Sequence, residues 1–372
     1  MKFGSAKAWL EHIPHIFGIV KHEKSTHYFD GNAVQCHYQL LNTLQLSEDE
    51  VRRFLQPSLD FAQALKSDPA VVRYFIRYPE DKEYSPLPML TNNDVVYNMM
   101  CVNERFTKTK FYRDFTIDMM RAFYANLKCG HVLVNGNYSV MCGNPIEMLL
   151  AAIGRFDGTS QIGVGNIHSI RFPFGAEILG SRSPHVAMGN VLLTHNAENE
   201  LIDYYMNPTQ EIVYINSINE NILNRLSGAD FDSDTVLLTD NKILLDAAKR
   251  NYSRFLVPMN SVQAKKIKRF YTAEQQCDLD IKTGTNNIGQ IVNLSQVLNN
   301  LFWNRINNGE SFEENQELYN DIAILDVMSG LEIDSAKREF NIDNKVELKR
   351  LQKKYAVELT DEDGKRILPN FF

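Results

Sequence analysis

The sequence has little of what usually announces a mechanism. Its five cysteines, Cys36, Cys101, Cys129, Cys142 and Cys277, are odd in number and widely spaced, with no C-x-x-C pair. A disulfide framework and a structural zinc knuckle both lack support. No apolar run approaches the roughly 18 residues of a membrane span. The opening MKFGSAKAWLEHIPHIFGIV is broken by charges, histidines and Pro14, unlike the apolar core of a signal peptide. A cytosolic chain with no membrane partner is the expectation. Positive charge is not in surplus either: 46 acids stand against 39 bases, a formal charge of −7. A protein that coats nucleic acid by charge alone is basic, so any such contact here needs a local basic groove. The sequences G-x-x-x-x-G-K-S/T, G-x-S-x-G and G-x-G-x-x-G are absent, which excludes phosphate chemistry of the P-loop type. His12, His15, His22, His27 and His37 fall close together but at no metal-ligand spacing.

What is there is globular. The 372 residues are 44% apolar and 23% charged, with 21 Phe and 16 Tyr, enough for two or three domains with a sizeable core. Residues 1–40 hold short apolar runs broken by the turn-like KHEK and DG. Helical material follows over 41–128. Ser47 and Glu50 form a capping box ahead of VRRFLQPSLDFAQAL, which Pro57 is expected to kink or divide. Residues 81–92 read as a loop. The clearest helix is 111–128, where Phe111, Phe115, Met119, Phe123 and Leu127 make an i, i+4 stripe expected to pack in the core, with Gly130 as the stop.

From 129 to 240 the pattern changes. HVLVNGNYSVMC reads as two strands joined by a hairpin at Asn135-Gly136. Pro145 then opens a short helix, IEMLLAAIG. Short apolar runs at EILG, NVLL, EIVYI and TVLL suggest a closed β structure rather than Rossmann repeats. Helices return over 241–372. The fold class is therefore mixed α/β, a barrel flanked by helical regions.

The unusual local sequence is 226–238, LSGADFDSDTVLL. Asp230, Asp232 and Asp234 alternate with Phe231 and Ser233, and an apolar strand follows at once. Extended backbone puts such alternating residues on one side, and a turn can gather them around a point. Three gathered carboxylates repel unless a cation neutralises them. Their hard oxygens suit Mg²⁺, and an ion so held keeps positions open for a phosphate or hydroxyl. A solvated acidic turn is the plain alternative, against which stands the apolar bracketing by Leu226, Phe231, Val236, Leu237 and Leu238. An EF-hand loop fails by count: from Asp230, its sixth position is Thr235 and its twelfth is Asn241.

GADFDSD resembles the Asp-Phe-Asp-Gly-Asp signature of the double-psi β-barrel RNA polymerases, a family that includes multisubunit enzymes, RNA-silencing RNA-dependent polymerases and single-chain phage or prophage polymerases. The resemblance implies that Asp230, Asp232 and Asp234 are catalytic and hold Mg²⁺, with Mn²⁺ as a substitute. VLVNGNYSVMCGNPIEML resembles the early barrel strand and Asn-Pro helix of these enzymes. GSRSPH resembles their Arg-x-Pro element, which implies a nucleotide role for Arg182, with Pro184 and His185 holding or lining the turn. NIGQIVNLSQ and GLEIDSAK resemble downstream helical segments, in the family's order. The resemblance spans roughly 129–340. One departure stands out: the family's glycine is Ser233, and if that position needs positive φ, serine there incurs strain of about 1 kcal/mol.

Between 242 and 269 lie Lys242, Lys249, Arg250, Arg254, Lys265, Lys266, Lys268 and Arg269, with Asp246 the only acid. They are either solvated helix faces or a lining for nucleic-acid phosphates, KKIKRF being the strongest case. Lys337 either faces the acidic centre or pairs with Asp334. In the family a partner barrel precedes the aspartate barrel and contributes lysines. The start KFGSAKAWL looks like the end of such a barrel, with Lys2 as a candidate lysine and residues 1–40 as its edge; the rest would precede this chain or belong to a separate polypeptide.

The expected function is thus template-dependent RNA polymerisation, with nucleoside triphosphates as substrates, a nucleic-acid template, an RNA product, and a bacterial or phage-infected cytoplasm as the setting. DNA-directed synthesis is the favoured form. A magnesium-dependent nuclease or phosphohydrolase and an inactive nucleic-acid-binding barrel are the alternatives.

Overall fold

Six strands running from residue 133 to residue 239 close on one another. The computed structural model describes Lys7 and residues 28–29, 31–77, 91–265, 268, 270, 272–284, 286–335 and 338–365. Strand β1 (Ala33–Gln35) pairs antiparallel with β2 (Leu133–Gly143). The sheet then runs through β6 (Ile212–Ile215), β3 (Asn166–His168), β5 (Leu192–Asn196), β4 (Glu177–Ser181) and β7 (Thr235–Thr239), and β7 returns to β2. β2 closes the ring because it is long. Its first half pairs antiparallel with β7, Gly136 opposite Thr239, and its second half pairs parallel with β6, Gly143 opposite Ile215.

This overturns the hairpin expected at Asn135-Gly136. The dipeptide lies inside one continuous strand, flanked by β1 on one edge and β7 on the other. The glycine serves close approach rather than a turn: a Cβ at position 136 would lie 2.5 Å from the Leu238 carbonyl oxygen. Tertiary pairing here outweighs the local turn preference.

Strand alternation divides the barrel's two faces. Met141, Ile167, Ile178, Leu192, Val213, Val236 and Leu238 come from all six strands into one interior cluster. Leu237, between two of them, points the other way to join Val34, Leu40 and Leu244. That outer cluster is where helices α1 (Tyr38–Leu44) and α9 (Lys242–Asn251) cover the barrel.

The helices before the barrel are α2 (Glu48–Ser67), α3 (Pro69–Arg77), α4 (Asn92–Val102) and α5 (Lys110–Lys128). The Ser47–Glu50 capping box forms in both directions, the kind of cap whose loss costs about 1 kcal/mol. Pro57 sits inside an undivided helix. On α5 the buried face is Tyr112, Met120 and Phe123, with Phe115, Met119 and Leu127 partly buried, while Phe111 is 53% exposed. The stripe therefore turns away from the core at its first member. Gly130 ends the helix at φ +78°, against the backbone of Tyr38. Within the barrel region lie α6 (Pro145–Ala152), capped by Asn144, then α7 (Glu200–Met206) and α8 (Ile222–Arg225). After α9 come α10 (Ala273–Gly284), α11 (Ile288–Asn307), α12 (Gln316–Asp334) and α13 (Asn344–Lys354), and a two-strand ribbon, β8 (Ala264–Lys265) with β9 (Glu339–Phe340). Helices α11, α12 and α13 share their own core around Phe302, Ile322 and Leu351. No helix among the described residues is long and apolar enough to cross a membrane.

Candidate active site

The aspartate loop is held at both ends by the barrel. Leu226 and Ala229 are buried in the interior cluster, and Val236 begins the apolar run of β7. At the far end the Met141 amide of β2 donates to the Asp234 carbonyl at 2.8 Å. Between these anchors the backbone turns through positive φ at Ser227 (+57°), Gly228 (+68°) and Ser233 (+97°). The residue at 233 thus occupies a conformation that suits glycine, and serine bears the expected strain there. Phe231 lays its ring over Gly143 at the end of β2.

The turn gathers Asp230, Asp232 and Asp234, each offering an oxygen within 4.8 Å of the others. One cation is already present. Arg182 Nη2 lies 2.9 Å from Asp234 Oδ2, and its Nη1 donates to the Ser227 carbonyl at 3.2 Å, so one side chain clasps both ends of the loop. Asp234 Oδ2 also accepts from the Asp230 amide at 3.0 Å. Hydrogen bonds to charged groups of this kind contribute about 1.5–3 kcal/mol each. The three carboxylates and one guanidinium carry a formal −2, which a divalent cation would balance. The donor set is all hard oxygen, gathered within 4.8 Å, which is the chemistry and the scale of a magnesium site. These residues fit such an ion.

Arg182 is aimed by a turn built from three distant parts of the chain. Ser183-Pro184 is a cis peptide bond, with Pro184 half-buried and Ser183 exposed. His185 is wholly buried: its Nδ1 lies 2.8 Å from Ser181 Oγ and its Nε2 lies 2.9 Å from Thr43 Oγ1. Gln39 Oε1 accepts from Ser183 Oγ and from the His185 amide, and Gln296 Nε2 donates to the His185 carbonyl. The imidazole is thus packed behind the turn, between Ser181 and Thr43, which is the holding position expected of it rather than the lining one. Burial, and then the charge of nearby His37, lower its pKa to about 3.

The expected basic lining is partly spent elsewhere. Lys249 pairs with Glu177 and Arg250 with Glu50, each at 2.7 Å. Lys265 lies in β8 opposite Glu339, and it and Lys268 are exposed. Lys2, Lys266, Arg269 and Lys337 lie outside the described residues, as do His12, His15, His22 and His27. Sequence reasoning missed Gln39, Thr43 and Gln296. The only trace was NLSQVLNN, where Ser295, Gln296 and Asn299 sit among leucines and a valine and all three are buried.

No family model matches the chain, and no curated protein matches it in sequence. Among solved structures it is similar to the RNA-dependent RNA polymerase QDE-1 from Thielavia terrestris, with a TM-score of 0.50 and 13% identity. The match covers 86% of this chain and 37% of that one, so this chain spans well under half the length of that polymerase. Together with the closed six-strand barrel, the likeness defines a mixed α/β fold of the RNA-polymerase type, consistent with a double-psi β-barrel. At this identity it speaks to the fold alone.

Proposed function

We propose that the chain carries the catalytic centre of a template-dependent RNA polymerase, joining nucleotides from nucleoside triphosphates to an RNA 3′-hydroxyl. The observation that carries this reading is the convergence of Asp230, Asp232 and Asp234 in a strained loop on a polymerase-type barrel. Those three side chains would hold Mg²⁺, or Mn²⁺ in its place. Such an ion, when bound, supplies charge neutralisation and lowers the pKa of a coordinated hydroxyl.

The remaining roles fall to the chain's own groups. Arg182 keeps Asp234 oriented and sets a guanidinium beside the carboxylates, where it can donate to ribose or phosphate oxygens. The His185–Gln39–Gln296 framework fixes that guanidinium, and the Leu226 and Val236 anchors fix the carboxylates. Replacing Asp232 with alanine should abolish template-dependent incorporation in the full chain; unchanged incorporation would sink the assignment. Hydrolysis of labelled nucleic acid with metal but without added triphosphates would point instead to a nuclease. DNA-directed synthesis, and a preceding lysine-bearing barrel as partner, belong to the same proposal.

A further inference from the structure

A second region of the surface shows a charge pattern that the aspartate centre does not explain. Between α2 and α5 a groove of about 560 Å³ is lined by Lys66, Lys108, Arg113 and Arg121 and by no carboxylate. It runs on through Thr107 and Lys108 into a recess of about 400 Å³ that adds Arg73 and Arg105, with Asp68 and Glu104. Six cations against two acids line the whole, on a protein whose formal charge is −7. Arg121 is shared with Asp118, but Lys66, Lys108 and Arg113 pair with no carboxylate among the described residues.

The placement of these cations opposes helix stability. Helix α2 follows the usual rule, with Glu48, Asp49 and Glu50 in its first turn. Helix α5 has no acid in its first turn and instead carries Lys110 and Arg113, with Lys108 just before the cap. Cations at that end face the positive pole of the helix. Lys108 closes the short 3-10 helix Glu104–Lys108, where a cation is favoured, but Lys110 and Arg113 break the rule on α5, and a broken local rule suggests a function outside the fold. Tyr124 supplies the other half of the recognition chemistry: it lines the same groove and is 41% exposed, so its ring offers a face for stacking.

We infer that this groove binds single-stranded nucleic acid, its phosphates lying along Lys66, Lys108 and Arg113 and a base stacking on Tyr124. The ligand class accords with the proposed function, but the inference rests on the groove alone and not on the aspartates. The test is fluorescence anisotropy of a labelled mixed-sequence RNA of about 12 nucleotides, with the full chain in EDTA. Lys108→Glu with Arg113→Glu should weaken binding at least about tenfold and reduce the salt slope by roughly 1.4. The same variant should leave the melting temperature unchanged or raised, because it places acids at the helix N-terminus. Tyr124→Ala should weaken binding about fivefold or more, and Asp232→Ala should leave it unchanged. Unchanged affinity in the double variant would overturn the proposal. So would loss of binding in EDTA or in Asp232→Ala, which would place the strand at the aspartates. Equal binding of inorganic polyphosphate, with no effect of Tyr124→Ala, would reduce the groove to a general polyanion surface and overturn it as well.

Discussion

The turn that aims Arg182 should register in the pH dependence of stability. His185 and His37 lie side by side, their ring centroids 6.5 Å apart. Burial lowers His185 to about 3, with His37 adding to the effect, and lowers His37 to about 4, with His131 adding. Unfolded, each titrates near 6.5. Below that value the unfolded chain takes up protons that the folded chain refuses, so stability is present at neutral pH and is lost as pH falls. Each histidine contributes about 1.4 kcal/mol of loss per pH unit. Asp326 acts in the opposite sense: burial raises its carboxyl to about 7, against a hydrogen bond from Asn190, so the folded state holds a proton that the unfolded state has released. Between about pH 5 and pH 6 the net expectation is a loss of roughly 1.4 kcal/mol per unit on acidification. Asp326→Asn removes the opposing contribution and should steepen the loss to roughly 2.7 kcal/mol per unit. Urea unfolding midpoints measured in half-unit steps, at constant slope on denaturant, give the numbers directly. A flat profile across this window, or an Asp326→Asn profile no steeper than that of the native chain, would refute the reasoning.

Two further outcomes follow from the aspartate loop. Ser233→Gly relieves about 1 kcal/mol of strain at φ +97° and loses about 0.4–1 kcal/mol of it to unfolded-chain entropy, for a net stabilisation of up to about 0.6 kcal/mol, whereas Ser233→Ala keeps the strain and should not stabilise; denaturant midpoints compare the three. Mg²⁺ at roughly a hundredfold excess over its dissociation constant should stabilise the chain by about 2.7 kcal/mol in a thermal shift. Asp232→Asn should melt higher than the native chain in EDTA, since one of three repelling charges is gone, yet lose most of the magnesium response.

Local chemistry was the legible part of this molecule. The Ser47–Glu50 box, the Asn144-Pro145 helix start and the bracketing of the aspartates by Leu226, Val236, Leu237 and Leu238 each rest on residues within a few positions of one another, and each stands in the structure, whereas Phe231, expected among the anchors, is 39% exposed. The demand for positive φ at Ser233 was legible as a condition, and the loop meets it. What the sequence concealed depends on contacts between distant segments. Asn135-Gly136 carries a hairpin signal, but β7 arrives a hundred residues later and needs the glycine for close approach. His185 sits in a polar motif, yet Thr43, Gln39 and Gln296 bury it from two separate helices. Lys249 and Arg250 counted toward a basic stretch until Glu177 and Glu50 claimed them. The groove beside α5 was hidden for the same reason, since Lys66 comes from α2 and no linear pattern joins it to Arg113.

The most direct measurement offers the full chain, with Mg²⁺ and all four nucleoside triphosphates, a set of homopolymer templates, and asks which nucleotide enters the product. The aspartate centre proposed here predicts incorporation of the complementary nucleotide on each template by the native chain and none by Asp232→Asn, whose side chain has the same shape without the charge. Incorporation by Asp232→Asn at the native rate, or a product whose composition ignores the template, would contradict it.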